Sequence, residues 1–186
     1  MKTKIILALI VILGLLVTPA SGLAVTSTVC GAGINNLPPC CYEDETGWGA
    51  GLRYVPRGNW ATYTPYDGQA QSVILYAGQT MNAGTIYFSD PVDGMVTITI
   101  QLKNAWHFDF RGPDGELEES VHIQDYIETP PAENPAPGQF AYKFIAMGGS
   151  FSTTLPEANF YGIHVALIHV VPCPPIAIGL PAVSIR

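Results

Sequence analysis

Apolar and polar side chains alternate without a break in the segment Met95-Val-Thr-Ile-Thr-Ile-Gln-Leu102. Successive side chains of a β-strand point to opposite faces, so Val96, Ile98, Ile100 and Leu102 share one face and the Thr and Gln side chains share the other. This period of two predicts a half-buried β-strand from Met95 to Leu102.

Shorter stretches rich in β-branched and aromatic residues flank this strand on both sides. We predict strands at 60–66, 72–76, 84–89, 106–110, 120–127, 140–146, 151–155 and 161–171. Turn sequences rich in Gly, Pro and Asp separate them. The 161–171 segment is apolar on both faces, which predicts a central strand. Strands of this length and spacing predict an all-β, antiparallel β-sandwich, Ig-like or jelly-roll-like.

The N-terminus has the pattern of a secretory signal peptide. Lys2 and Lys4 precede an apolar run over 5–17, and small residues follow it up to Gly22. The run is shorter than the roughly 20 residues that a membrane-spanning helix needs, so a permanent anchor is the less favoured interpretation. We expect cleavage after Gly22 or Ala24, so that 1–22 is the signal peptide, 23–186 is one domain, and the protein is secreted or held at the cell surface.

The cysteines agree with export. Cys30, Cys40, Cys41 and Cys173 all lie in the mature part, and exported chains usually pair their cysteines. A bridge between adjacent Cys40 and Cys41 would close a strained ring, so we expect one of them to bond Cys30 and the other Cys173; both such pairings remain open. The alternative, a zinc site, is disfavoured because adjacent cysteines lack the usual ligand spacing. We therefore predict a disulfide-stapled domain.

The charge disfavours two classes of partner. The chain has 15 Asp and Glu against 8 Lys and Arg, and loss of Lys2 and Lys4 with the signal peptide leaves six cations and a net charge of −9. No two of Arg53, Arg57, Lys103, Arg111 and Lys143 lie close enough in sequence to build a basic stripe. Binding to nucleic acid or to an anionic membrane surface is therefore disfavoured, and we predict no stable membrane insertion.

Catalytic motifs are absent from the sequence. It contains no Gly-rich phosphate loop followed by Lys, no His-Glu-x-x-His, no Gly-x-Ser-x-Gly and no Cys-x-x-Cys. We predict that the protein is not an enzyme and assign no catalytic residue, with a secreted hydrolase as a distant alternative because catalytic triads are defined by geometry.

Two weak metal hypotheses follow from the charged and imidazole side chains. An acidic loop carries Asp114, Glu116, Glu118 and Glu119, whose oxygens could hold Ca²⁺, although a solvated hairpin tip is the favoured interpretation. If the 106–110 and 120–127 strands pair so that their apolar faces match, Trp106 faces Ile123, Phe108 faces Val121, and His107 faces His122. His107, His122 and Asp109 could then hold a transition metal. We otherwise predict no cofactor.

The remaining histidines are less suggestive. His164 and His169 are five residues apart on one predicted strand, so their side chains point to opposite faces and cannot bind one ion together. We interpret both as interior or rim histidines.

Aromatic residues are concentrated between Tyr42 and Tyr66. Flat rings with polar tips suit sugar faces or a protein partner. Burial in the core is the favoured alternative, because 60–63 alternates as a strand does. The candidate ligand-binding residues are Trp48, Tyr54, Trp60, Tyr63 and Tyr66.

Three segments carry a resemblance: Thr-Gly-Trp-Gly-Ala-Gly at 46–51, Gly-Asn-Trp-Ala-Thr-Tyr at 58–63 and Asn-Pro-Ala-Pro-Gly at 134–138. They resemble segments of a group of uncharacterised secreted prokaryotic proteins, and the similarity extends over most of the mature chain. The resemblance implies export and a β fold, and that group has no assigned activity to carry over.

Together these features predict a non-catalytic extracellular or cell-surface module that binds a protein partner or assembles with itself. The apolar tail at 174–186 supports this prediction, since it is too short to span a membrane and too apolar to remain in water. It packs on its own domain or adds to the sheet edge of a neighbour, and we favour its own domain because a bridge at Cys173 would hold it there. A carbohydrate-binding module is the alternative.

Overall fold

The computed structural model describes the backbone of residues 28–30 and 40 and the whole of residues 41–112 and 114–172. The predicted signal peptide at 1–22, Cys173 and the apolar tail at 174–186 lie outside the described residues. Within the described ranges the chain is all-β, and it includes no helix long and apolar enough to cross a membrane.

The strands are β1 (Thr28–Cys30), β2 (Cys40–Gly49), β3 (Leu52–Arg53), β4 (Thr62–Pro65), β5 (Gln71–Ala77), β6 (Met81–Phe88), β7 (Met95–Leu102), β8 (Trp106–Phe108), β9 (Val121–Tyr126), β10 (Tyr142–Phe144), β11 (Ser150–Pro156) and β12 (Phe160–Pro172). A single turn of 3₁₀ helix spans Pro137–Gln139. All described strand pairs are antiparallel, and they form one open sheet in the order β10-β9-β12-β2-β5-β6-β7-β11.

Strand β12 is the centre of the sheet. One of its edges pairs with β4 and then with β2, and the other pairs with β9 and then with β8. Both faces of the strand are covered, which explains why apolar side chains lie on both of them. The prediction of a central strand at 161–171 is confirmed.

The two faces of the sheet carry separate apolar clusters. The main core takes the odd-numbered side chains Tyr161, Ile163, Val165 and Leu167 of β12 together with the inner faces of β5 to β9 and β11. Both ends of the sheet reach this core, because Phe144 of β10 and Phe151 of β11 have ring centroids 5.1 Å apart.

The second core lies on the opposite face and is aromatic. Trp48, Tyr54, Tyr63 and Phe140 form it with Ala61, under the connections that lead from β3 to β4 and from β9 to β10.

Most strand predictions are confirmed to within a few residues. Strand β7 runs from Met95 to Leu102 as the alternation predicts, and its apolar side chains are buried at every second position. Strand β2 was missed because Glu43, Asp44 and Glu45 at its centre do not resemble a strand in sequence. Pairing with β12 over nine residues holds this acidic stretch in extended form.

The predicted pairing of the 106–110 strand with the 120–127 strand is wrong. Strands β8 and β9 lie one after the other along the same edge of β12, where Phe108 faces Leu167 and Val121 faces Val165. The chain leaves this edge after Asp109 and returns at Ser120. The two segments do share a buried face, as their alternation predicts, because both project into the main core.

The described backbone of the cysteine region bears on the predicted disulfides. Cys30 in β1 lies directly opposite Cys41 in β2, and Cys40 lies opposite Pro172, the residue before Cys173. The side chain of Cys41 is fully buried.

Candidate functional site

Four of the five aromatic side chains predicted as a ligand platform are buried. Trp48, Tyr54 and Tyr63 belong to the second core, where the Tyr54 and Tyr63 ring centroids are 5.1 Å apart in an edge-to-face arrangement. Tyr66 belongs to the main core. Burial removes these four rings from solvent, so they offer no exposed platform and act as packing groups.

Trp60 differs from the other four because it is only partly buried and lines a cleft of about 390 Å³. Tyr76 of β5, also half-buried, lines the same cleft. Among the described residues neither ring contacts another aromatic ring closely, whereas Trp48, Tyr54 and Tyr63 all do. The cleft is lined by Ala50, Gly51, Arg53, Trp60, Thr62, Tyr76, Gln79 and Thr80.

One wall of the cleft is fixed by hydrogen bonds from β4 to the last residue of β2 and to the residue that follows it. The hydroxyl of Thr62 donates to the Gly49 carbonyl over 2.7 Å, and that of Thr64 donates to the Ala50 carbonyl over 2.9 Å. Gly51 lies so close to β4 that a Cβ there would overlap the Tyr63 carbonyl. The absence of a side chain at position 51 therefore permits this close approach.

The loop that carries Trp60 is also closed by the backbone. The Tyr54 amide donates to the Ala61 carbonyl over 3.2 Å, which joins the two ends of the 54–61 loop. Trp60 packs from this loop against the second core. Its position therefore depends on the buried aromatic residues beneath it.

The opposite wall is the β5–β6 hairpin. The register shifts between Leu75 and Tyr76, because Leu75 faces Gly84 and Tyr76 faces Asn82. The extra residue, Ala83, forms a β-bulge, a feature that bends a strand and redirects its side chains. At the tip of the hairpin Gln79 has a φ of 76°, an uncommon conformation for a residue other than glycine.

The polar groups of the cleft have unused hydrogen-bonding capacity. Arg53 is exposed and forms no ion pair within the described part of the chain. Gln79 and Thr80 are exposed at the rim. The cleft thus combines a guanidinium, an amide and a hydroxyl with two aromatic rings.

A larger groove of about 530 Å³ lies on another part of the surface, lined by Pro65, Tyr66, Asp67, Gln71, Ile127, Glu128, Thr129, Asn159 and Phe160. Its amide donors already serve its own walls. The side-chain amide of Gln71 donates to the Pro65 carbonyl and that of Asn159 to the Ile127 carbonyl, each over 2.6 Å. We therefore favour the smaller cleft as the candidate site.

The histidines pair differently from the prediction. His107 is exposed and faces Ile168, whereas His122 of β9 faces His164 of β12, with ring centroids 5.7 Å apart. The predicted group of His107, Asp109 and His122 is therefore not formed. His164 also contacts Trp48 of the second core, while His169 stacks on Trp106 of the main core, so the prediction that His164 and His169 point to opposite faces is confirmed.

Burial keeps the paired imidazoles neutral. Burial, with a smaller contribution from the neighbouring His122, lowers the pKa of His164 to about 4. Burial also lowers the pKa of His122, against the opposing effect of Glu119. The Nδ1 atoms of both rings are buried and have no hydrogen-bond partner among the residues that the structure describes.

The acidic loop is a solvated turn in this structure. Asp114, Glu116, Glu118 and Glu119 are all exposed, and Asp109 instead accepts a hydrogen bond from the Arg111 guanidinium over 3.0 Å. Across the described ranges no three His, Cys, Asp or Glu side chains converge in a way that could hold a metal ion.

Sequence reasoning identified Trp60 but missed its companions in the cleft. Tyr76 ends a predicted strand, and its role depends on the bulge opposite it, which the sequence does not signal. A scan against models of known protein families found no match, and neither did searches of curated proteins and of solved structures.

Proposed function

We propose that this chain is a non-catalytic extracellular or cell-surface β-sandwich module that acts by binding, and that the cleft between Trp60 and Tyr76 holds its ligand. The observation that carries the proposal is a cleft, with one wall fixed by hydrogen bonds, that is lined by two half-buried aromatic rings, neither of which forms a close ring–ring pair among the described residues. Ligand sites in proteins typically combine apolar walls with a few placed polar groups.

Carbohydrate is the ligand class that fits this lining best. Sugar rings present apolar C–H faces that pack on Trp and Tyr, and hydroxyls that accept and donate hydrogen bonds. Arg53, Gln79 and Thr80 supply such partners at the rim, and Arg53 adds a positive charge that would favour an acidic sugar. A volume of about 390 Å³ lies at the lower end of small-ligand sites, which suits a short glycan segment.

The arrangement of polar side chains supports binding rather than catalysis. Among the described residues no Ser or Thr hydroxyl is hydrogen-bonded to a histidine, the contact that activates the nucleophile in hydrolases with a Ser–His pair. Within the described ranges no carboxylate is hydrogen-bonded to the Nδ1 atom of His122 or His164.

The predicted disulfides and export belong to the same proposal. The register of Cys30 against Cys41 suits a cross-strand bridge, and the position of Cys40 opposite Pro172 brings the chain before Cys173 to the same place. Such bridges are typical of proteins in oxidising compartments.

Binding to an array of neutral and acidic glycans tests the proposal, followed by titration of the best ligand into wild-type protein and two variants. We expect Trp60→Leu and Tyr76→Leu each to weaken binding by roughly tenfold or more, as loss of an aromatic anchor does. Tyr87→Leu, which alters an exposed aromatic residue outside the cleft, should bind like wild type. Melting temperatures separate loss of binding from loss of folding.

Two outcomes would contradict the proposal. One is a protein that binds no glycan on the array, and the other is a glycan whose affinity is unchanged in both cleft variants. If the protein instead binds a protein partner, and both cleft variants lose that binding, the cleft remains the binding site but its ligand is a protein.

A further inference from the structure

Among the described strands, β11 forms one end of the sheet and pairs on one side only, with β7. Leu102 donates to the Gly149 carbonyl over 2.8 Å, which identifies the even-numbered residues of β7 as those that bond to β11. The backbone groups of Phe151, Thr153 and Leu155 therefore point toward β7. Those of Ser150, Ser152 and Thr154 point outward, away from the described sheet.

This open edge lacks the features by which proteins normally prevent edge pairing. Such edges are usually short, charged, bulged or interrupted by proline. β11 has seven residues, carries no charged side chain, and pairs with β7 through seven consecutive residues without a register shift. Only Pro156 limits it, and its carbonyl already accepts a hydrogen bond from the Tyr161 hydroxyl. At the other end of the sheet, β10 has three residues with Lys143 at its centre.

The outward face beside this edge is also uncharged. Thr97 is hydrogen-bonded to Thr154 over 3.1 Å and Thr99 to Ser152 over 2.9 Å, so the hydroxyls of neighbouring strands satisfy one another. These contacts add side-chain hydrogen bonds to the backbone pairing of β11 with β7. Strand β11 is therefore fixed on one edge, while its other edge has no neighbouring strand among the described ones.

We propose that β11 pairs with β11 of a second copy of this chain, in antiparallel orientation about a two-fold axis at Ser152. In that register Ser152 faces Ser152 of the other copy and Ser150 faces Thr154, which forms a ladder of about six hydrogen bonds. The sheet then continues from one molecule into the next.

The charge of the chain and the positions of its exposed apolar side chains both favour a second copy as the occupant. The chain has a net charge of −7, so two copies repel each other except where their surfaces are neutral, and the β11 edge is such a surface. Exposed apolar side chains lie near the two ends of the edge, Met147 before it and Met95 on β7 beside Pro156. Antiparallel pairing places the Met147 end of one molecule near the Met95 end of the other.

Sedimentation equilibrium of the full-length mature protein at micromolar to submillimolar concentration tests the inference. We expect wild type to dimerise and Ser152→Lys to dimerise at least tenfold more weakly. Ser152→Pro should do the same, because the Ser152 amide points outward and its loss leaves the β7–β11 ladder intact. Tyr87→Lys, which places the same charge on β6 between two paired strands, should dimerise like wild type.

Cross-linking tests the register. Ser152→Cys should form a covalent dimer under mild oxidation, whereas Tyr87→Cys should not. A protein that stays monomeric at all concentrations would overturn the inference, as would dimers that Ser152→Lys and Ser152→Pro leave unchanged. If Ser152→Lys weakens the dimer but Ser152→Cys does not cross-link it, β11 does not pair with β11 and another segment occupies the edge. The 174–186 tail of a neighbour is then the first segment to examine.

Discussion

Gly162→Ala probes the contact on which the second core depends. Gly162 lies in β12 directly beneath Tyr54, and a Cβ at this position would occupy the place of the Tyr54 hydroxyl and lie 3.3 Å from its ring carbon Cζ. Tyr54 is 4% exposed, and its hydroxyl donates to that of Tyr126 over 3.2 Å. The ring therefore cannot move aside without disturbing its neighbours, and overpacking of this kind costs about 1–3 kcal/mol.

A double-mutant cycle isolates the clash. Tyr54→Phe removes the hydroxyl and its hydrogen bond, at a cost of about 1 kcal/mol, but it also removes the atom that the new methyl group would meet. We expect the double variant to be more stable than the sum of the single effects predicts, by at least ~1 kcal/mol. Urea unfolding followed by tryptophan fluorescence measures each free energy of unfolding.

Gly138→Ala is the matched control, because nothing lies within 4 Å of the added methyl group. It should change the free energy of unfolding by less than about 0.5 kcal/mol. Additive effects of Gly162→Ala and Tyr54→Phe would show that the added methyl group does not clash with the hydroxyl, and so would a Gly162→Ala variant as stable as the control. Since Tyr54 also begins the loop that carries Trp60, Gly162→Ala should weaken glycan binding along with stability.

Three further outcomes are expected. Burial lowers the pKa of His164 from 6.5 to about 4, so between these pH values the unfolded chain binds a proton that the folded protein does not. The free energy of unfolding should therefore fall by roughly 3 kcal/mol as the pH drops through this range. In urea titrations His164→Gln should reduce this pH dependence. Phe108→Ala, at a fully buried site, should lower the free energy of unfolding by about 3–5 kcal/mol. His107→Ala, beside it on the exposed face, should change that free energy by less than about 0.5 kcal/mol. Equal losses in thermal unfolding would show that the two side chains are assigned to the wrong faces. Peptide mapping of unreduced protein should find Cys30 bonded to Cys41, and two or more reactive thiols after denaturation would contradict the predicted pairing.

The sequence predicts best what depends on one strand alone. The alternation from Met95 to Leu102 determines which side chains are buried, because the pleat sends successive residues to opposite faces whatever the neighbouring strands are. The same rule placed Phe108 and Val121 on a common buried face, although the strands that carry them do not pair. The apolar composition of 161–171 indicated a strand covered on both faces, and β12 is that strand.

Tertiary structure decided which strands are neighbours and therefore which side chains meet. Backbone hydrogen bonds in a sheet carry no side-chain identity, so the sequence of the 106–127 region does not reveal that β8 and β9 both pair with β12. That pairing places His122 opposite His164 and His107 opposite Ile168. The acidic β2 became an interior strand because β12 pairs along it.

The cleft and the open edge follow from the same distinction. Trp60 is aromatic in any context, but its exposure, and the burial of Trp48 and Tyr54, depend on how the 54–61 loop packs on the sheet. A lack of charge in β11 is visible in the sequence. The sequence does not show that β11 lies at the end of the sheet, where its outward backbone groups have no neighbouring strand among the described ones. That position is set by contacts between residues distant along the chain.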